Sequence, residues 1–380
     1  MIPRRFRRAT ATLAAGLILS LLAHDQAAAT DLAALGPQFR NVIERTLRQC
    51  QVPGALVGVF SGNRSWTAAF GLADVARGRP VRRHDRFAIR SVTKSFVVTE
   101  VLQLVAQGRV GLDDPIAKYY RGVPNGDRIT LRTLANMTSG LFDYVKDEAF
   151  VAQLGADPLH RWTDPELIAF ALAHPVRFRP GAEYEYSNTN TLLLGQVIAR
   201  VTGRRVGPAL EGGILEPLGL DDTLYLYGSR IPAPRAFGYQ GFTDGRPDDV
   251  EISFTGLGAS GAMVSTLDDL KRWGEVLVEG ALLPERLQRQ RFAARKATNG
   301  PEYDRYGLGM GEIDGWWGHT GSGAGFEAAV FHTPGRRDDT IVILLDASNF
   351  QNVQAGLLRR LISILENGSE GRYRGRAGCS

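Results

Sequence analysis

Cysteine is almost missing from this sequence of 380 residues: only Cys50 and Cys379 occur. That excludes a disulfide-dense scaffold and any multi-cysteine zinc or iron–sulfur site. Lysine is scarce as well, with five residues among 45 basic side chains, so a lysine inside a chemical pattern is informative. Charge of one sign is not in excess. The formal net charge is +5, and no basic stripe is interleaved with aromatics, which leaves nucleic-acid binding without support. A P-loop, an H-E-x-x-H helix and a G-x-S-x-G elbow are all absent. Hydrophobic residues make 44% of the chain and charged residues 22%, which excludes a disordered chain, a collagen and a coiled coil.

What is present begins with Arg4, Arg5, Arg7 and Arg8, an apolar run from about Ala11 to Ala23, and Ala27-Ala28-Ala29. A positive start, a short apolar stretch and small residues read as a secretory signal peptide over 1–29. The run is short for a membrane span, so no stable span is expected in the mature chain. Removing four arginines and Asp25 lowers the charge from +5 to +2. The protein is expected in the periplasm or medium, as a monomer. Export would permit a Cys50–Cys379 disulfide, but Cys50 ends an amphipathic helix and reads better as a small buried hydrophobe.

Periodicity predicts a helix over about 35–50, then strands at Ala55–Phe60 and Ser65–Phe70 joined at Gly62-Asn63. A helix should start near Ser91 and stop near Gly108, with Val97, Val98, Val101, Leu102 and Val105 on its buried face. Short helices broken by Pro, Gly and Asn/Asp follow to about 250. Ser265-Thr266-Leu267-Asp268-Asp269 signals a capped helix through Val278. Strands are expected at Gly325–Thr333 and Thr340–Asp346, and a last helix at about Gln351–Glu366. The fold class is therefore α/β (α+β), with an antiparallel sheet built from both chain ends and flanked by helices. Residues 30–110 and 250–367 would form the sheet domain, 111–249 a mostly helical insert, and 368–380 a flexible tail.

Three patterns carry chemistry. In Ser91-Val92-Thr93-Lys94 the i, i+3 spacing lets the amine reach the hydroxyl on one helix face. A serine at a helix start also meets unpaired N–H groups. A neutral lysine can take its proton, as an arginine cannot. Tyr186-Ser187-Asn188 offers a phenol and an amide on one side of an extended segment; a phenol near two cations loses its proton more easily and can act as base or acid. In His319-Thr320-Gly321-Ser322, Gly321 would leave a strand edge free for substrate backbone. Each pattern alone has a plain structural reading: a helix cap, a loop tyrosine, a Gly-rich connection. Gly256-x-Gly258-x-x-Gly261 matches a dinucleotide fingerprint, but the next helix signal comes too late to hold a pyrophosphate.

Taken in order, S-x-x-K, Y-x-N and H-x-G resemble the serine β-lactamase and penicillin-binding-protein superfamily, and more closely its class C β-lactamase/DD-peptidase branch. The resemblance covers about 30–366 and includes Gln51–Gly54, Asn136–Leu141 and Gly258–Gly261. It implies a β-lactamase-like fold without metal or organic cofactor. Ser91 would be the acylated nucleophile, and Lys94 and Tyr186 would exchange its proton. Asn188 would bind the substrate amide, and Thr320 the substrate carboxylate. The N–H groups of Ser91 and Ser322 would form the oxyanion hole. His319 stands where class C β-lactamases carry lysine, so it supplies positive charge only when protonated. The H-T-G form is similar to D-alanyl-D-alanine carboxypeptidases and related D-peptidases. β-Lactamase and carboxylesterase are the runner-up activities, on small peptide, β-lactam or ester substrates. A penicillin-binding sensor without turnover is the other class. Arg305, shortly before the His319 strand, is a candidate second carboxylate anchor.

Overall fold

Branched and apolar residues at every position of Ala55–Phe60 and Thr340–Leu345 suit strands covered on both faces, and the computed structural model places them side by side. It describes residues 31–371 except 244–245, 299–302, 336 and 349–351. The proposed signal peptide, Cys379 and most of the proposed tail lie outside the described residues.

The main sheet takes β1 (Gly54–Ser61), β2 (Arg64–Asp74) and β3 (Arg79–Pro80) from the N-terminal side. From the C-terminal side come β4 (Arg295–Lys296), β5 (Arg305–Tyr306), β6 (Gly311–Ile313), β7 (Trp316–Gly323), β8 (Phe326–His332) and β9 (Asp339–Leu345). Their order is β3-β2-β1-β9-β8-β7-β6-β5-β4, antiparallel throughout. The β1/β9 pairing, Val57 opposite Ile343, closes the sheet between the two chain ends. Alternate residues part by face. Ala55, Val57, Val59, Ile341 and Ile343 pack with α1 (Leu32–Gln49) and a C-terminal helix, Val353–Asn367. Leu56, Phe60, Val342 and Leu344 join the larger core on the other side.

That larger core surrounds α2 (Thr93–Ala106). The sequence predicts an amphipathic helix from Ser91. Instead Arg90–Val92 form a 3-10 turn, the α-helix starts at Thr93, and Thr93 to Leu102 are all buried. The offset has a local cause: Arg90 adopts φ +47°, which a helix cannot continue through. Gly108 does take the left-handed φ, +69°, past the helix end. α3 (Glu148–Ala156) and α4 (Asn188–Thr202) contribute residues to the same cavity that the end of β7 lines. α5 (Leu267–Glu279) starts at a Thr266 cap that accepts from the Asp269 N–H, as the capping signal predicts.

Two expectations change. The stretch read as helices and loops up to 249 also contains strands. Leu224–Tyr225 pairs with Met263–Ser265, and Tyr239–Thr243 pairs with Arg246–Asp249. These runs are too short to show a period of two. Cys50 is buried as expected, but it is also disulfide-bonded rather than a free thiol. Among the described residues no helix is long and apolar enough to cross a membrane.

α2 is held against α5 by Phe96 stacked on Trp273 at 3.8 Å between ring centroids, and by Trp273 Nε1 donating to Ser95 Oγ at 2.9 Å. Trp273→Ala opens a cavity directly behind the nucleophile turn. It should lower unfolding stability by about 3–5 kcal/mol, read from urea denaturation.

Candidate active site

Ser91 lies on the 3-10 turn at the mouth of α2, and Lys94 one turn on is fully buried. Lys94 Nζ donates to Ser91 Oγ at 2.8 Å and to the Ser260 carbonyl at 2.8 Å. Burial lowers its pKa to about 7, against the opposing charge of Asp143. At neutral pH a large fraction of the amine is therefore deprotonated. The 2.8 Å contact then reverses, with Oγ–H donating to Nζ. Ser260 ends the 3-10 turn Gly258–Ser260. The G-x-G-x-x-G stretch is thus two tight turns that aim a carbonyl at Lys94, and the next element is a strand, Met263–Ser265, not a helix.

Tyr186 places its ring 5.0 Å from Lys94 Nζ. Its hydroxyl faces Ser91, close enough to interact, yet it is enclosed and meets no partner at full hydrogen-bond geometry. Burial first, and then the neighbouring Tyr303, hold its pKa well above 10. The expectation that this phenol sits near two cations and loses its proton is corrected: Tyr186 keeps its proton. Asn188 opens α4, with its backbone N–H on Asp143 Oδ1 at 3.0 Å and its Nδ2 3.2 and 3.1 Å from the two carboxylate oxygens. The amide nitrogen is committed to Asp143, so Oδ1 is the atom left to accept a substrate N–H.

β7 presents its residues alternately. Thr320 and Ser322 line the cleft, while His319 points into the layer behind it. His319 is fully buried, with Tyr306 Oη 2.9 Å from Nε2 and the Thr320 carbonyl 2.6 Å from Nδ1. Burial, and then Lys94, lower its pKa to about 3. It is neutral, with Nδ1–H donating to the carbonyl and Nε2 accepting from Tyr306. The expected part-time cation is absent. Its network instead orients the neighbour: Tyr303 Oη accepts the Thr320 N–H at 2.9 Å and lies 2.8 Å from Thr320 Oγ1. Gly321 also has a different reason from the expected one. A Cβ there would lie 2.2 Å from the Ile89 carbonyl, so the turn that carries Ser91 by itself requires glycine. Arg305 is no anchor for substrate. Its exposed side chain pairs with Glu312 on β6 and lies 5.7 Å from the Trp317 ring.

Ser91, Tyr186, Asn188, Thr320 and Ser322 share one cavity of about 470 Å³. Its other wall is apolar: Val145, Phe150, Val151, Leu154, Ile252 and Leu257. Arg90 is its one charged lining residue among those described, and that guanidinium is turned onto backbone carbonyls.

A family profile described as Beta-lactamase matches residues 39–365. The chain belongs to the Beta-lactamase family of serine hydrolases. Its fold is the β-lactamase/penicillin-binding-protein fold. Among similar proteins is esterase EstB of Burkholderia gladioli, 31% identical over 234 residues, 58% of this chain and 58% of that one. Another is penicillin-binding protein 4* of Bacillus subtilis, 25% identical over 274 residues, 68% of this chain and 59% of that one. The match therefore spans less than two thirds of either relative's length. A D-stereospecific amidohydrolase from Streptomyces sp. superposes with a TM-score of 0.76 at 31% identity, covering 89% of this chain and 99% of that one.

The stretches that carry the family resemblance leave out Asp143, Tyr303 and the conformation of Arg90, all of which shape this site. Asp143 follows the Ser139-Gly140-Leu141 stretch, but its partner Asn188 is 45 residues away. Only an unexplained aspartate between Phe142 and Tyr144 hints at it. With Lys94 as base, kcat/KM should rise with pH through about 7, because the neutral amine is the working form. Asp143 raises the Lys94 pKa, so Asp143→Asn should move that limb to lower pH. A pH–rate profile of both proteins on one neutral ester checks this.

Proposed function

We propose that the protein is a serine acyl-hydrolase of the D-peptidase and D-amidase kind, acting on amides whose scissile bond has no free carboxylate beside it. The observation that carries this reading is the charge of the cleft. His319 is neutral, Arg305 is elsewhere, and the Arg90 guanidinium is turned away. Among the described lining residues, Thr320 offers a hydroxyl but no cation faces the carboxylate of a D-alanyl-D-alanine terminus or a β-lactam. That favours the related D-peptidase over the carboxypeptidase within the expected range. The likeness to a D-stereospecific amidohydrolase supports the same choice. A second reading, esterase, is favoured by the apolar wall, which suits a neutral acyl or alkoxy group, and by the likeness to EstB.

In the proposed mechanism neutral Lys94 takes the Ser91 Oγ proton as Oγ bonds to the substrate carbonyl carbon. The carbonyl π electrons move onto oxygen, held by the N–H groups of Ser91 and Ser322. Tyr186, protonated at rest, donates to the leaving nitrogen as the C–N bond breaks, and the Lys94 ammonium restores its proton. Asn188 Oδ1 accepts a substrate N–H. Water then attacks the acyl-enzyme by the same groups in reverse.

A substrate panel tests it: D- and L-phenylalanine amide, p-nitrophenyl butyrate, an N-acyl-D-Ala-D-Ala peptide and that peptide's C-terminal amide. The terminal amide should exceed the free acid in kcat/KM by about 10–10²-fold, the worth of one charged hydrogen bond that the cleft does not offer. Ser91→Ala should remove turnover of every substrate. Preference for the free acid over its amide would overturn the reading.

A further inference from the structure

The residue before the nucleophile is unusual in three ways. Arg90 has φ +47°, a left-handed conformation that costs a non-glycine residue about 1–2 kcal/mol. Its side chain is 3% exposed, although arginine is seldom buried without an acidic partner. The groups it does meet are carbonyls and ring faces. Nε donates to the Gly323 carbonyl at 2.8 Å and Nη2 to the Ala324 carbonyl, while the guanidinium carbon lies 5.2 and 5.3 Å from the Phe254 and Phe326 rings. A strained backbone held by such contacts points to a role at the neighbouring site.

Gly323 is the last residue of β7, directly after Ser322, and Ala324 opens the turn to β8. The nucleophile turn and β7 therefore meet twice. On one side the Ile89 carbonyl presses against Gly321, with no room for a Cβ. On the other the planar fork of Arg90 spans two successive carbonyls, a geometry that a lysine ammonium does not reproduce. Ser322 is flanked by these two contacts on β7, and Ser91 directly follows Ile89 and Arg90 on the nucleophile turn.

We propose that Arg90 is a positioning residue, a guanidinium clamp that sets the nucleophile turn against the β7–β8 turn so that the N–H groups of Ser91 and Ser322 converge on one oxyanion. The inference rests on the acyl-enzyme reading above.

The test compares wild type, Arg90→Gly and Arg90→Lys. Each is treated with a p-nitrophenyl alkylphosphonate, in which Ser91 Oγ bonds to phosphorus and p-nitrophenolate leaves, and each is assayed on a neutral substrate. Arg90→Gly accepts the backbone conformation without strain but lacks the fork. Its phosphonylation rate and kcat should fall about 10²-fold, as for loss of an oxyanion donor, with KM little changed and the melting temperature close to wild type. Added guanidinium ion, below denaturing concentration, should restore part of kcat by refilling the slot between Phe254 and Phe326. Arg90→Lys should fall between the two. Wild-type rates in either variant, or a loss that guanidinium leaves untouched while KM rises in step, would overturn the clamp. If wild type itself is neither phosphonylated at Ser91 nor active, the acyl-enzyme reading fails first.

Discussion

The burial of one amine organises the site. Lys94 has two hydrogen-bonded neighbours, the Ser91 hydroxyl and the Ser260 carbonyl, and its side chain is fully buried. Removing an ammonium from water is costly unless it is well paired, and here the cost appears as a pKa near 7 instead of 10.5. That displacement turns a structural cation into a usable base. From Thr93 to Leu102 every residue of α2 is buried, so no face of its first turns opens the lysine to solvent. The stacked Phe96–Trp273 pair, the turns that aim the Ser260 carbonyl and the wall of α4 all serve to keep that amine dry.

The same dryness acts on the neighbours with opposite sign. Desolvation disfavours whichever form is charged. It therefore lowers the pKa of His319 and raises that of Tyr186, leaving both neutral. A base near neutrality beside a phenol that holds its proton divides the labour between them. Lys94 can accept, Tyr186 can donate, and neither role requires a standing phenolate. Asp143 is the counterweight. It lies close enough to Lys94 to oppose the shift, while its own carboxylate is occupied by three contacts from Asn188.

Local chemistry made much of this readable from sequence. The β1–β2 hairpin, the Thr266 cap, the Gly108 stop and the Ser91–Lys94 spacing depend on residues within a few positions of each other, and the structure has each of them. Long-range pairing hid the rest. Asp143 matters because α4 brings Asn188 to it. His319 is neutral because Tyr303 and Tyr306, from the edge of the sheet, close over it. Arg305 looked like an anchor by its distance along the chain, but strand pairing turned it toward Glu312. The 3-10 turn at Arg90 was invisible because nothing in a helical pattern announces a left-handed residue at its start. The strands at 224–249 were too short to have a period.

Acyl chemistry and recognition of substrate charge are physically separable here. Ser91, Lys94 and Tyr186 are tuned by burial on the helical side of the cleft, and that burial would persist under many exchanges on β7. The charge offered to substrate depends on alternate positions of that strand, where Thr320 faces the cleft and His319 faces the layer behind. A lysine at 319 would have to emerge from among Tyr186, Tyr303 and Tyr306 to reach a carboxylate. A histidine can stay, accept one phenol proton and orient Thr320. On the reading proposed above, the residue at 319 would therefore bear on which substrate charge the cleft accepts, while the burial that sets the Lys94 and Tyr186 proton affinities lies elsewhere.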